Sequence, residues 1–105
     1  MKKATGCDMR GMLSFQILWL LSKGDMNGER IAEEIEKRRG EKPKPGTLYP
    51  ALKDLNGSGL VKGKKSGREV VYSITKSGRA AVKVSTAYLC RSFGDIFTEG
   101  IKSSR

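Results

Sequence analysis

The sequence contains no histidine, and that absence removes much of the usual chemistry of active sites. Without an imidazole there is no serine–histidine or cysteine–histidine pair to activate a nucleophile. The two cysteines, Cys7 and Cys90, lie far apart and form no CxxC or other metal-ligand spacing. No glycine-rich loop of the kind that cradles phosphates is present. The residues therefore offer no catalytic constellation, no metal site and no cofactor site, and an enzyme is the rival reading with least support. Long apolar runs are lacking too. Residues 12–21 are the most apolar stretch, only ten residues long and interrupted by Ser14 and Gln16. That is too short to cross a bilayer, and no small-residue cleavage site follows it. Cys90 falls in an apolar-periodic segment where a free thiol acts as a small hydrophobe, so a reduced, cytoplasmic setting is expected.

Acidic residues are also scarce. Lys and Arg number 21 against 11 acids, for a net charge of +10 in 105 residues. Such a balance points to polyanions, nucleic acid before membrane. The excess is focused: residues 42–91 hold 11 basic side chains and only Asp54 and Glu69 as acids, whereas Glu29, Glu33, Glu34 and Glu36 cluster upstream. The length fits one compact domain, and association into a dimer would compensate for a core this small.

Residues 1–9 are polar and patternless and are expected to form a mobile tail. A first helix is predicted over 10–22, with Leu13, Ile17, Leu20 and Leu21 on one side and Met12, Phe15, Leu18 and Trp19 on the other. A helix apolar on both sides needs cover on both sides. Asn27 reads as the N-cap of a second helix over 28–39, with Ile31, Ala32 and Ile35 as its core stripe and Gly40 as its C-cap. Residues 41–46, with Pro43 and Pro45, form a stiff turn. A third helix over 47–58 carries Leu48, Ala51, Leu52 and Leu55 on one face; with Thr47 as N-cap, Pro50 falls in the first turn. A hairpin follows, leading in through Leu60, Val61 and Lys62, turning over 63–67 and returning over 68–74. Thr75 is the N-cap of a last helix over 76–97.

Three helices, a two-stranded wing and a closing helix constitute a mainly α, α+β winged helix-turn-helix. Two helices joined by a short turn set the second into the major groove of DNA. The string Gly46-Thr47-Leu48-Tyr49-Pro50-Ala51-Leu52-Lys53-Asp54-Leu55, closing with Gly59-Leu60-Val61, resembles the recognition-helix motif of the PadR family of phenolic-acid-decarboxylase regulators. Val71-Tyr72-Ser73-Ile74-Thr75-Lys76-Ser77-Gly78 resembles that family's second common string. Asn27-Gly28-Glu29 stands where many members carry His-Gly-Tyr. The resemblance covers about residues 10–97 and implies a homodimeric transcription factor, commonly a repressor, paired through its first and last helices. Some relatives bind small aromatic effectors, and Trp19 is either a lining residue for one or a packing residue.

The residues thus divide into a tail (1–9), a winged-helix unit that binds double-stranded DNA (10–75) and a C-terminal dimerisation helix with its own tail (76–105). Lys42, Lys44, Thr47, Tyr49, Pro50, Lys53, Lys62, Lys64, Lys65 and Arg68 are the candidate DNA contacts, with the lysines placed to supply affinity through phosphates. Phe15, Trp19, Val84, Tyr88, Leu89, Phe93, Ile96 and Phe97 are the candidate dimer interface. Repression from a palindromic operator with release by an effector is the favoured function. A winged helix serving non-specific nucleic-acid or protein binding is the alternative, and preference for duplex DNA over single strands separates the two.

Overall fold

The computed structural model describes residues 9–103, with side chains from residue 11. In chain order the elements are α1 (Met9–Leu21), β1 (Met26–Asn27), α2 (Gly28–Arg39), α3 (Pro45–Gly57), β2 (Val61–Ser66), β3 (Glu69–Ile74) and α4 (Lys76–Ser103). The expected tail therefore loses Met9, which is already helical, and the remainder of it, Cys7 included, lies outside the described residues.

The core is built almost wholly by the first three helices. Leu13, Ile17, Leu18, Leu20 and Leu21 of α1 meet Ile31, Ala32 and Ile35 of α2 and Leu48, Ala51, Leu52 and Leu55 of α3. Val61 at the start of β2 closes the cluster. Each of the large side chains contributes about 1.5–3 kcal/mol by leaving water. From α4 only Gly78 is fully buried, while Ala81 and Val82 pack against the cluster from outside.

Local chemistry sets the boundaries of α2. The Asn27 side-chain oxygen accepts from the Arg30 N–H at 2.7 Å, and Gly40 takes φ 83°, donating its N–H to the Glu36 carbonyl at 2.8 Å. Along the outer face of α2, Glu34 is hydrogen-bonded by Lys37 at 2.9 Å and Arg38 at 3.0 Å, with Arg30 at 3.4 Å. These donors, Lys37 foremost, hold its carboxyl at a pKa of about 2. A depressed carboxylate pKa gives stability that is complete above the ordinary value near 4.5 and lost as pH falls toward 2. Thermal unfolding followed from pH 6 to about pH 2 is thus expected to fall less steeply below pH 4.5 in Glu34→Gln than in the native sequence.

The start of α3 departs from expectation. Lys44, not Thr47, is the N-cap, and it makes no side-chain cap bond. Pro45 occupies the first helical position, where its fixed φ suits a helix and its missing N–H is not needed. The Lys44 carbonyl accepts from Thr47 and Leu48, both at 2.9 Å. The early start moves Pro50 out of the first turn into the helix interior. There it deprives the Gly46 carbonyl of its helical donor. Pro50→Ala would restore that bond, offset in part by the greater freedom of the unfolded chain. It is expected to raise stability by roughly 1 kcal/mol, measured by chemical denaturation.

The sheet has three strands in the order β1-β3-β2, all antiparallel, so the wing gains a strand that the sequence does not announce. Met26 pairs with Tyr72 and Asn27 with Val71. The hairpin turn is Gly67-Arg68, not residues 63–67, because the ladder runs unbroken from Val61↔Ile74 to Ser66↔Glu69. Gly67 has φ 66° and no described non-glycine residue has a positive φ, which is the pattern of a type II′ turn. Gly63 is a packing glycine: a Cβ there would lie 3.0 Å from Val70 Cγ1 and 3.2 Å from Tyr72 Cε1.

At the end of the winged unit Thr75 ties three segments together. Its N–H donates to the Leu60 carbonyl at 3.1 Å and its hydroxyl to the Gly59 carbonyl at 2.7 Å. The same hydroxyl accepts from the Gly78 N–H at 3.0 Å, capping α4. The exit of α3, the end of β3 and the entry of α4 are thereby one joint. Beyond it α4 continues to Ser103 rather than ending near Phe97. At about 1.5 Å per residue it spans some 42 Å, close to the 46 Å long axis of the molecule.

Candidate nucleic-acid interface

The helical period of α3 turns Leu48, Ala51, Leu52 and Leu55 inward and leaves an outer face of Thr47, Tyr49, Pro50, Lys53 and Asn56. Tyr49, Lys53 and Asn56 follow one another at helical spacing, so Asn56 belongs to this face although the sequence reading does not single it out. Asn is one of the side chains able to pair bidentately with adenine. The signal that would find it is the i, i+4, i+7 spacing from Tyr49.

Lys42 and Lys44 flank this face from the α2–α3 turn, and both are exposed. Lys42 is occupied: its ammonium meets Glu29 Oε2 at 2.6 Å, and that carboxylate raises the Lys42 pKa above its ordinary value. Lys44 stands at the head of α3 with Thr47, beside a cavity of about 650 Å³ that also reaches Met12, Gln16 and Arg39.

Strand register divides the wing cations. Residues directly opposite share a face of a sheet. Lys65 pairs with Val70, on the face that carries Val61, Gly63, Tyr72 and Ile74, which is the face applied to the helices. Lys62 pairs with Ser73 and Lys64 with Val71, on the opposite face. Lys64 and Lys65, neighbours in one turn by the sequence reading, therefore point apart. Arg68 sits in the turn itself and lines a cavity of about 390 Å³ with Tyr49, Asn27, Glu29, Glu69 and Tyr72. The structure brings Tyr49, Arg68 and the Lys65 face to one side of the molecule, and Lys62 and Lys64 to another.

Within that cavity Tyr49 is 45% exposed while its ring also lies against Gly28, so contact with α2 and access to solvent coexist. The Tyr72 phenol is shifted upward by burial and by the nearby Tyr49. The Asn27 side-chain amide donates to Glu69, tying the start of α2 to the wing.

A second, apolar surface runs along α4. Val84, Tyr88, Phe93, Ile96 and Phe97 are all exposed on α4, and Phe93 and Phe97 touch each other with ring centroids 6.2 Å apart. Met12 and Ile101, absent from the sequence candidates, are exposed as well. Phe15, Trp19 and Leu89 are half-buried. With Arg38, Thr86, Cys90 and Phe97 they border a cavity of about 350 Å³. Lys23 and Arg38 lie over the Trp19 ring at 4.9 and 5.4 Å. Cys90, expected to act as a small hydrophobe, is a free, exposed thiol that borders this cavity. Among the described residues no cluster of potential metal ligands occurs, and no helix is long and apolar enough to cross a membrane.

Known proteins share both the sequence pattern and the architecture. Residues 17–84 match the transcriptional regulator PadR-like family. A transcriptional regulator from Clostridium thermocellum superposes with a TM-score of 0.76 at 26% identity, covering 86% of this chain and 94% of that one. A PadR family transcription regulator from Clostridium difficile R20291 gives 0.73 at 25% identity, over 87% of this chain and 99% of that one. RosR of H. salinarum gives 0.72 at 25% identity, over 98% and 96%. In sequence, 86 residues are 29% identical to an uncharacterized 37.1 kDa protein in transposon TN4556 of Streptomyces fradiae. That stretch is 81% of this chain, and the chain spans about a quarter of that protein's length (25%).

Proposed function

The chain belongs to the PadR-like family of transcriptional regulators, and from that premise we propose that it acts as a homodimeric repressor on a two-fold symmetric operator. In this reading α3 enters the major groove, Tyr49, Pro50, Lys53 and Asn56 meet the bases or the flanking phosphates, and Lys44, Lys65 and Arg68 neutralise phosphates on either side. The observation that carries it is the position of α3. Its outer face is exposed along its length and is flanked by cations from the α2–α3 turn on one side and from the wing on the other. Two copies related by a dyad would present two α3 helices to successive major grooves about 34 Å apart. The exposed apolar length of α4 and the outer side of α1 supply the pairing surface. The cavity beside Trp19 is the place this reading assigns to a small aromatic effector, with the ring for stacking and Arg38 for an acidic group.

Titration onto a duplex recovered by selection from a random pool, onto a scrambled duplex and onto single strands tests the proposal. A preference for the selected duplex on the order of a thousandfold, falling steeply with salt, is the expected result. Equal affinity for all three would replace operator reading with general nucleic-acid attraction. The register of the wing adds a sharper expectation. Lys65→Ala with Arg68→Ala should weaken binding by about tenfold or more and flatten the slope of log K against log salt by about 0.9 for each phosphate no longer neutralised. Lys62→Ala with Lys64→Ala should change the slope by less. Equal slopes for the two double variants would remove the division of the wing into a DNA-facing and an outer face.

A further inference from the structure

We infer that Gly28 is a positioning residue for DNA recognition, its missing side chain being the seat that fixes the Tyr49 ring on α3. The inference rests on the DNA-binding reading above. A Cβ at position 28 would lie 2.4 Å from Tyr49 Oη, 2.7 Å from Cε1 and 2.8 Å from Cζ. Real carbon contacts do not come this close, so the ring occupies the space that any other residue would fill.

Nothing else at this position calls for glycine. Gly28 is not among the residues with positive φ. It opens α2 directly after the Asn27 cap, where an alanine would favour the helix. It is buried, while the tyrosine that covers it is 45% exposed. One part of the ring therefore rests on the backbone of α2 and the rest is presented outward. The ring borders two cavities, one with Lys42 and Pro43 and one with Arg68 and Tyr72. Without the seat the ring has open space to rotate into. With it, one rotamer is held between the recognition helix and the wing, so little side-chain freedom remains to be lost when DNA binds.

The test is a double-mutant cycle on the full chain with the selected duplex, read by fluorescence anisotropy, alongside thermal unfolding and the ring resonances of Tyr49. The displaced atoms are the far end of a rotatable side chain, so Gly28→Ala is expected to remain folded with little change in Tm. Its duplex affinity should fall about tenfold, with the salt slope unchanged and the Tyr49 ring resonances shifted. In a Tyr49→Ala background the same replacement should cost less than about twofold, because the ring that it displaces is gone. If Gly28→Ala alone failed to fold, the double variant would still have room for the new methyl, and its affinity should equal that of Tyr49→Ala. Native-like affinity in Gly28→Ala, or an equal loss in both backgrounds, would overturn the inference while leaving the DNA-binding reading intact. Failure of the native chain to bind any duplex would overturn both, and only that result touches the reading itself.

Discussion

Gly78→Ala is expected to destabilise the protein by about 3 kcal/mol, lowering Tm on the order of 15 °C, and Gly78→Val is expected not to fold. A Cβ at this position would lie 2.2 Å from the Leu60 carbonyl oxygen and 2.6 Å from Ile74 Cγ1. The first of these neighbours is backbone, and it already accepts the Thr75 N–H. It has no rotamer to change, so relief requires α4 to lift away from the α3–β2 link. Overpacking in a close-packed interior typically costs about 1–3 kcal/mol, and here the lift also strains the Thr75 hydrogen bonds. For a domain of this size each kcal/mol shifts Tm by roughly 4–8 °C. The contrast lies in the same helix. Gly100 has nothing within 4 Å of its Cβ position. Gly100→Ala should leave Tm unchanged or raise it, since alanine is the better helix former by about 0.8–1 kcal/mol. Calorimetry on both variants checks the pair, and a Gly78→Ala protein that melted like the native one would show that the joint at Thr75 is not tight.

The same residue type shows where sequence reasoning reaches its limit. Caps are legible because their chemistry is local: Asn27, Gly40 and Thr75 each act on atoms within four residues along the chain. The inward stripe of α3 is legible for the same reason, since helical period alone selects Leu48, Ala51, Leu52 and Leu55. Gly63 misleads. A glycine followed by two lysines and a serine reads as a turn, yet its causes are the Val70 and Tyr72 side chains across the ladder, contacts that depend on register. Once the turn is misplaced, the faces of Lys64 and Lys65 cannot be assigned, because each one-residue slip reverses them. Strand β1 is invisible because two residues carry no period; it exists only because β3 offers an edge to pair with. Thr47 reads as a cap because its type favours one, but Pro45 two residues earlier fixes a helical φ first and Lys44 is held extended before it. The candidate contacts on α3 are thus readable as a face, whereas the wing contacts need the sheet.

The largest functional effect is expected at the far end of α4. In the proposed dimer, Phe93→Glu combined with Phe97→Glu should convert the pair into monomers at micromolar concentration and weaken binding to the selected duplex by about a hundredfold to ten-thousandfold. Beyond Leu89 the side chains of Phe93, Ile96, Phe97 and Ile101 are exposed on a single chain, and Gly94 and Gly100 weaken local propensity. These side chains form an apolar surface that a single chain leaves in water, so this length of α4 gains from a partner surface to lie against. In the proposed dimer a second copy of the chain offers the matching one, because a two-fold axis buries the same apolar face twice. Coupling two α3 helices makes the second half-site contact intramolecular, and the gain of that step is typically about 10² to 10⁴. Each glutamate pair puts like charges into the paired surface and removes the gain without touching Tyr49, Lys65 or Arg68. Sedimentation velocity should show the mass halved, and the helical signal should fall by an amount that matches unwinding of the end of α4. Affinity for a duplex carrying one half-site should stay the same, since a single α3 and wing remain. A double variant that sedimented as a dimer and bound the full site undiminished would move the pairing surface elsewhere on the molecule, Met12 of α1 being an apolar side chain open to solvent there.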